Sequence, residues 1–454
     1  MKIFPYRARI AILLLAIAVL LVGFVSDSRV SASVDRSIYT NLKVFTEILS
    51  IIEKNYVEPV KAEKLIEGAI NGMVKSLDPH SAYMTPDMYK DLEIETKGQF
   101  GGVGMEIMIH RDVLTVVAPI EDTPAYHAGI KAGDQIITID GKPTKEMTLM
   151  EAVKKLRGPQ GTKVTLQILR EGSSKLRDVE ITRAIINVRS VKYKMLDPQI
   201  AYIRLSSFQE KTADELRRSL QEINKTTTQL KGLVLDLRNN PGGLLPQAVE
   251  VADLFLKSGV IVSTHGRTKA MDTTISARHQ GNEPECPIVC LVNEGSASAS
   301  EIVAGALQDN GRALILGTQT FGKGSVQTVI PLEGGAALKL TTARYYTPSG
   351  RSIQAEGIKP DIEVKYLAGG EEGERYAIRE KDLEGHLKSP NEMKGEPEEG
   401  RPPAPAVPRE EEKKKDFPLK RPFGDMTKDN QLKSAYDILK SWEIMERKAK
   451  SSSK

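Results

Sequence analysis

Residues 287–316 read Pro-Ile-Val-Cys-Leu-Val-Asn-Glu-Gly-Ser-Ala-Ser-Ala-Ser-Glu-Ile-Val-Ala-Gly-Ala-Leu-Gln-Asp-Asn-Gly-Arg-Ala-Leu-Ile-Leu. The first six form an apolar run of strand length, as a strand buried on both faces of a sheet requires. Small residues from Gly295 lead into a helical pattern over 300–307, and a second apolar run follows over 313–316. Strand, helix, strand in this order is the repeating unit of an α/β layer with crossover connections. The texture extends outward: 200–205 and 232–237 are further buried-strand runs. Helical patterns lie between them at 212–223, whose start is marked by Thr212 and Glu215, and at 245–256. An α/β core over 187–368 is expected.

Upstream, residues 97–186 change to short strands and glycine turns. Gly101-Gly102-Val103-Gly104 leads into a strand at 105–109, and a second strand is expected at 113–117. Strands at 136–139 and 164–169 flank a helix opened by the capping box Thr148-Leu149-Met150-Glu151. This arrangement resembles a PDZ domain. Residues 36–95 read as helical, with Leu42, Val44, Phe45, Ile48, Ile51 and Ile52 on a 3.6-residue stripe, continued by Leu65, Ile66, Ile70 and Met73. The stripe packs on its own core or makes a dimer contact.

At the N-terminus Lys2, Arg7 and Arg9 precede an unbroken apolar run over 10–25, followed by Ser26-Asp27-Ser28-Arg29. A charged flank and an apolar stretch of that length mark an exported chain. Residues 1–29 are then a cleaved signal peptide or an N-terminal anchor to the inner membrane, with the rest of the chain periplasmic or otherwise extracytoplasmic. Past Gly369 apolar periodicity is lost. Residues 369–430 read as a charged, proline-rich, disordered linker, with a terminal helix at 431–447.

Composition excludes several classes. A net charge of +4 over 454 residues produces no field suited to nucleic acid. The six histidines show no metal-ligand spacing, so no metal or other cofactor is expected. Cys286 and Cys290 lie four apart in one strand-like run. That separates them by about 13 Å, beyond the roughly 7 Å a disulfide spans, so they read as core thiols.

Two segments carry chemistry. Ser298 sits where a strand turns into a helix, exposed and near helix-terminal amides that stabilise anions. A serine there is equally a helix cap. Lys323 lies between Gly322 and Gly324, with Phe321 and Val326 able to desolvate it. Burial lowers a lysine pKa and yields a neutral amine able to take a proton from a serine hydroxyl. A solvated loop lysine is the alternative. A Ser-His-Asp arrangement using His265 or His279 is the mechanistic rival.

Taken together these segments resemble the carboxy-terminal processing proteases, or tail-specific proteases, the PDZ-containing branch of the S41 peptidases. The resemblance includes Leu77-Asp78-Pro79-His80-Ser81-Ala82-Tyr83 and Leu235-Asp236-Leu237-Arg238-Asn239-Asn240-Pro241-Gly242-Gly243. It also includes Tyr345-Tyr346-Thr347-Pro348-Ser349-Gly350-Arg351-Ser352-Ile353-Gln354 and Gly357-Ile358-Lys359-Pro360-Asp361-Ile362.

The resemblance implies a multidomain α/β protein: a helical N-terminal region packed on a serine-protease core, a PDZ-like module inserted before that core, and a charged tail. It implies Ser298 as nucleophile, Lys323 as base and Gln327 as the residue orienting the lysine. Asp309 and His80 are then structural. Ala299, beside the nucleophile, is one oxyanion donor, and Gly242 or Gly243 is implied as the other. Gly101, Gly102, Val103 and Gly104 would receive a substrate carboxyl terminus, with Arg170 relaying occupancy to the site. Expected partners are polypeptides bound by their C-termini, further copies of the chain, and an activating or adaptor protein. The rival from another class is a catalytically silent PDZ scaffold for exported proteins.

Overall fold

A computed structural model describes residues 36–367, except 171, 173, 174 and 228, together with 378–390 and 423–452. The expected export segment, and most of the expected linker, lie outside the described residues. These fall into two compact units, one up to Val74 and one from Lys75 onward. The first holds α1 (Arg36–Asn55) and most of α2 (Ala62–Lys75). The stripe on α1 is exposed at Leu42, Val44, Phe45, Ile48 and Ile51.

The second unit opens with β1 (Ala82–Met84) and α3 (Pro86–Lys97), where Thr85 caps and Gly98 ends the helix with a positive φ. The PDZ-like module follows: β2 (Gln99–Gly102), β3 (Met105–His110), β4 (Val113–Pro119), α4 (Pro124–His127), β5 (Gln135–Ile139), β6 (Lys142–Pro143), α5 (Leu149–Leu156), β7 (Lys163–Leu169), β8 (Arg177–Thr182) and β9 (Ala184–Asn187). Strand order β3-β4-β5-β7-β8 leaves one edge of β3 open, while β2 and β9 pair separately at the domain's root. The capping box at α5 forms as its sequence implies: Thr148 N–H donates to Glu151 Oε2 at 2.8 Å, and Glu151 N–H to Thr148 Oγ1 at 3.2 Å.

The core contains β10 (Val191–Asp197), β11 (Ile200–Leu205), α6 (Thr212–Thr226), β12 (Gly232–Asp236), α7 (Leu245–Asp253), β13 (Val260–Gly266), β14 (Thr273–Ser276), β15 (Ile288–Val292), α8 (Ala299–Asp309), β16 (Ala313–Gly317), β17 (Ser325–Pro331), β18 (Ala337–Tyr346), β19 (Ile362–Glu363) and α9 (Asn430–Ser452). Its main sheet runs β10-β11-β12-β15-β16-β19, parallel from β11 onward. Strand alternation sends Ile203, Leu235, Cys290 and Ile315 to one face, under Leu216, Val251 and Val303 from the helices. The opposite face presents Tyr202, Val234, Leu291 and Leu316 to Leu432, Ala435 and Leu439 of α9. Both faces are covered, which is why these strands are apolar throughout. Cys286 and Cys290 are free and buried.

One local expectation is corrected. Thr212 and Glu215 do not form a capping box on α6: Lys211 occupies the cap position without a side-chain bond. Glu215 Oε2 instead accepts the backbone N–H groups of Ser190 and Val191, which ties the helix to the start of β10. Tertiary donors outcompete the local cap.

A buried charged cluster fixes α9. Arg238, 2% exposed, donates through Nε and Nη2 to Asp236 at 2.9 and 2.7 Å, and through Nη1 and Nη2 to Asp429 at 2.9 and 2.7 Å. Tyr202 Oη also donates to Asp236, at 2.7 Å. Removing one partner from such a cluster leaves a buried charge uncompensated, at a cost of about 3–5 kcal/mol. Asp429→Ala is therefore expected to lower unfolding free energy by about that amount in denaturant titration, and a change within 1 kcal/mol would contradict this role.

Candidate active site

Ser298 occupies the turn between β15 and α8 with φ 55° and ψ −113°. L-residues adopt this conformation rarely, at a cost of about 1–3 kcal/mol, and it persists only where the surroundings enforce it. The enforcement comes from the loop after β12. Asn240 O accepts Ala297 N–H at 3.0 Å and Ser300 Oγ at 2.9 Å, while Leu237 O accepts Ser296 Oγ at 2.8 Å. Gly242 (φ 103°) presses against the turn: a Cβ there would lie 2.9 Å from both Ser298 Cβ and Ala297 O. Only glycine permits that approach. Glu301 N–H donates to the Ser298 backbone carbonyl at 2.9 Å. The cap duty falls on Glu301, whose Oε2 accepts Ser298 N–H at 2.8 Å.

Glu301 also joins the turn to the lysine loop. It is fully buried and accepts Thr320 Oγ1 at 2.5 Å and Gly322 N–H at 2.8 Å on Oε1, and Lys323 N–H at 2.9 Å on Oε2. Ser298 and Lys323 thus share one carboxylate oxygen through their backbone nitrogens. Phe321 N–H adds a bond to Ser296 O at 3.0 Å. Burial pushes the Glu301 carboxyl up to about 7, opposed by the Thr320 hydroxyl and the backbone donors. Burial also pulls the half-buried Lys323 ammonium below the ordinary lysine range. Lys339 adds to that lowering, while Glu380, Asp78 and Glu301 oppose it.

Beside Lys323 lies a polar network. Asp78 accepts the Ser81 hydroxyl at 2.7 Å, the His80 and Ser81 N–H groups, and Thr341 Oγ1 at 3.1 Å. Gln327 Nε2 donates to Ser325 Oγ at 2.8 Å and reaches Thr341 Oγ1 at 3.5 Å. The glutamine therefore sits on the network rather than directly on the lysine. Asp309 accepts Ser349 N–H and pairs with Arg351, holding the 345–354 segment to α8. The histidines are engaged elsewhere: His265 faces Asp272 at 3.1 Å and His279 faces Glu283 at 3.1 Å.

The implied oxyanion donors differ in availability. Ala299 is the first residue of α8, so its N–H has no intrahelical acceptor. Gly242 N–H is already donated to Asn240 Oδ1 at 2.9 Å, which leaves Gly243 as the better second candidate.

In the PDZ-like module a cavity of about 990 Å³ runs between β3 and α5. Val103, Gly104, Ile107, Ile109, Val153 and Leu156 are among its lining residues. Gly101 and Gly102 instead pair with Ile185 and Ala184 of β9, at the domain's root. Arg170 binds the buried Asp134 bidentately, at 2.7 and 2.8 Å, and Gly129 O at 2.8 Å, bracing the loop before β5.

Peptidase family S41 matches residues 199–364, a PDZ domain matches 115–170, and the activating protease CtpB N-terminal domain matches 25–88. A carboxy-terminal-processing protease of Bartonella bacilliformis is 47% identical over 409 residues, covering 89% of this chain and 90% of its own. The chain belongs to the carboxy-terminal processing proteases. A probable CtpA-like serine protease of Staphylococcus aureus is 37% identical over 359 residues, 78% of this chain and 71% of that protein. Among solved structures, the photosystem II D1 C-terminal processing protease aligns at 32% identity with a TM-score of 0.42, over 71% of this chain and 92% of its own.

The protease is thus a serine peptidase with a PDZ domain. Reading its sequence residue by residue overlooked Glu301, a position inside the quoted serine segment. The available signal was an acidic residue three places after the helix start, which reads as an ordinary cap. The raised pKa of Glu301 makes the fold's stability depend on pH. A carboxyl that binds its proton more tightly folded than unfolded stabilises the fold fully below its unfolded pKa, near 4.5, and loses that contribution as pH rises to about 7. The unfolding free energy of wild type relative to Glu301→Gln is expected to fall across that window. A difference independent of pH would show the carboxyl to be unperturbed.

Proposed function

We propose that the protein is an exported endopeptidase that binds polypeptides by their carboxyl ends and cleaves them with a Ser298–Lys323 dyad. The observation that carries the reading is the shared Glu301 oxygen, which draws the backbones of both residues to one point. As Ser298 Oγ attacks the peptide carbonyl, the neutral Lys323 amine takes the hydroxyl proton. The resulting ammonium returns a proton to the departing amine, and the acyl-enzyme remains. Lys323 then deprotonates the water that hydrolyses it. Charge developing on the carbonyl oxygen is met by the N–H of Ala299 and of Gly243, each such donor being worth about 3 kcal/mol. Gln327, bonded to Ser325 and Thr341, orders the polar network beside the lysine loop.

The PDZ groove supplies substrate choice. The open edge of β3 accepts an added peptide strand, and the Val103–Gly104 turn offers backbone donors to its terminal carboxylate. The apolar lining suits an apolar last residue. The charged and apolar pattern at residues 1–29 supports export, whether as a signal peptide or an anchor. Assembly through the exposed α1 stripe and action of an activating protein are further parts of this reading. A silent scaffold would have no use for a strained serine beside a desolvated lysine.

Purified wild type is expected to degrade an unstructured polypeptide ending in an apolar residue, with turnover rising toward alkaline pH because the lysine must be neutral. Ser298→Ala and Lys323→Ala should each remove at least 99% of turnover, the order of loss found when a nucleophile or base is deleted. Equal degradation by wild type and Ser298→Ala would overturn the assignment. Amidating the substrate's C-terminus should raise KM at least tenfold with little change in kcat, because the change removes binding and not chemistry. An unchanged KM would remove the PDZ groove from substrate capture.

A further inference from the structure

The family match to the catalytic core ends at residue 364, yet residues 378–390, inside the charged extension, return to the lysine loop. Glu380 is 0% exposed. Its carboxylate receives His80 Nε2 at 2.8 Å and Gln354 Nε2 at 2.9 Å, and its backbone N–H donates to Phe321 O at 3.2 Å. Gln354 Oε1 in turn accepts Gly324 N–H at 3.0 Å. The neighbouring Arg379 donates Nη1 to Gln319 Oε1 at 2.6 Å. The lysine loop is therefore gripped on both sides of Lys323 by bonds that run to residue 380: at Phe321 through its backbone N–H, and at Gly324 through Gln354 to its carboxylate. A merely decorative tail has no reason to bury a charge.

We propose that Glu380 is a positioning residue for Lys323, so that the C-terminal extension is a working part of the active site. The inference rests on the reading of Lys323 as the base. Glu380 acts in two ways. Its hydrogen bonds hold the backbone from which the lysine projects, and its negative charge favours the ammonium form, against burial and against Lys339. Asp78 and Glu301 act in the same direction, and His80 is the positively chargeable group paired with Glu380 itself. A buried carboxylate placed there sets how much of the lysine is neutral at a given pH while preventing the loop from drifting.

The test measures kcat and KM for a peptide substrate against pH in the full-length protein, for wild type, Glu380→Gln, Glu380→Asp and Lys323→Ala. Glu380→Gln removes the charge, so the rising alkaline limb of kcat should move to lower pH by about half a unit. Its maximal kcat should fall about tenfold, from the misplacement of a catalytic group, with KM within twofold. Glu380→Asp keeps the charge with a shorter reach, so it should lower kcat and leave the limb in place. It also serves if Glu380→Gln fails to fold. A limb unmoved in Glu380→Gln, or wild-type kcat in Glu380→Asp, overturns the proposal. Turnover by Lys323→Ala would instead overturn the base reading beneath it.

Discussion

The active region depends on a single buried carboxylate. Glu301 accepts four donors, three from backbone N–H groups at Ser298, Gly322 and Lys323 and one from the Thr320 hydroxyl. Ser298 and Lys323, 25 positions apart in the chain (323 − 298 = 25), are thereby held at one point. Hydrogen bonds to a carboxylate are among the stronger ones available to a protein, and a buried carboxylate is costly to leave unpaired. Neither segment can shift without leaving part of that group unsatisfied. The bond from Ser298 N–H to Glu301 adds to the hold that the loop after β12 has on the unfavourable backbone of Ser298.

The remainder of the core serves that junction in layers. The parallel sheet places the ends of β12 and β15 side by side, so the loops after them, with Asn240 and Gly242 on one and Ser298 on the other, meet at its edge. Ligand sites at the carboxyl ends of parallel strands are a general property of such sheets. β17 and β18 carry the floor, with Gln327 and Thr341 linked to Asp78. The far face of the sheet is closed by α9 through Arg238 and Asp429, so the last helix of the chain stabilises the loop that carries Gly242.

Much of this was legible in the sequence. The strands at 200–205, 288–292 and 313–317 and the helix at 299–309 follow from apolar runs and small-residue punctuation, since a two-faced buried strand leaves little choice of residue. The PDZ helix was marked by its own capping box. Ser298 and Lys323 stood out only as a pair at a family spacing, because each alone has an ordinary structural use. What escaped were groups whose roles are set by distant partners. Glu301 looks like a cap, Glu215 looks like another, and Glu380 lies in a stretch whose composition is that of linker. Local pattern cannot reveal that His80, Gln354 and Phe321 converge on residue 380. Likewise Arg170, which resemblance implies as a relay, has partners in Asp134 and the Gly129 carbonyl that local pattern does not reveal.

The central claim is that Lys323 activates Ser298. It is tested most directly by the rate at which a serine-reactive fluorophosphonate acylates the protein across pH, with no substrate binding involved. Labelling should map to Ser298, rise with pH as the lysine loses its proton, disappear in Lys323→Ala, and persist in His265→Ala and His279→Ala. Labelling of Lys323→Ala at the wild-type rate, or its loss in either histidine variant, would contradict the account.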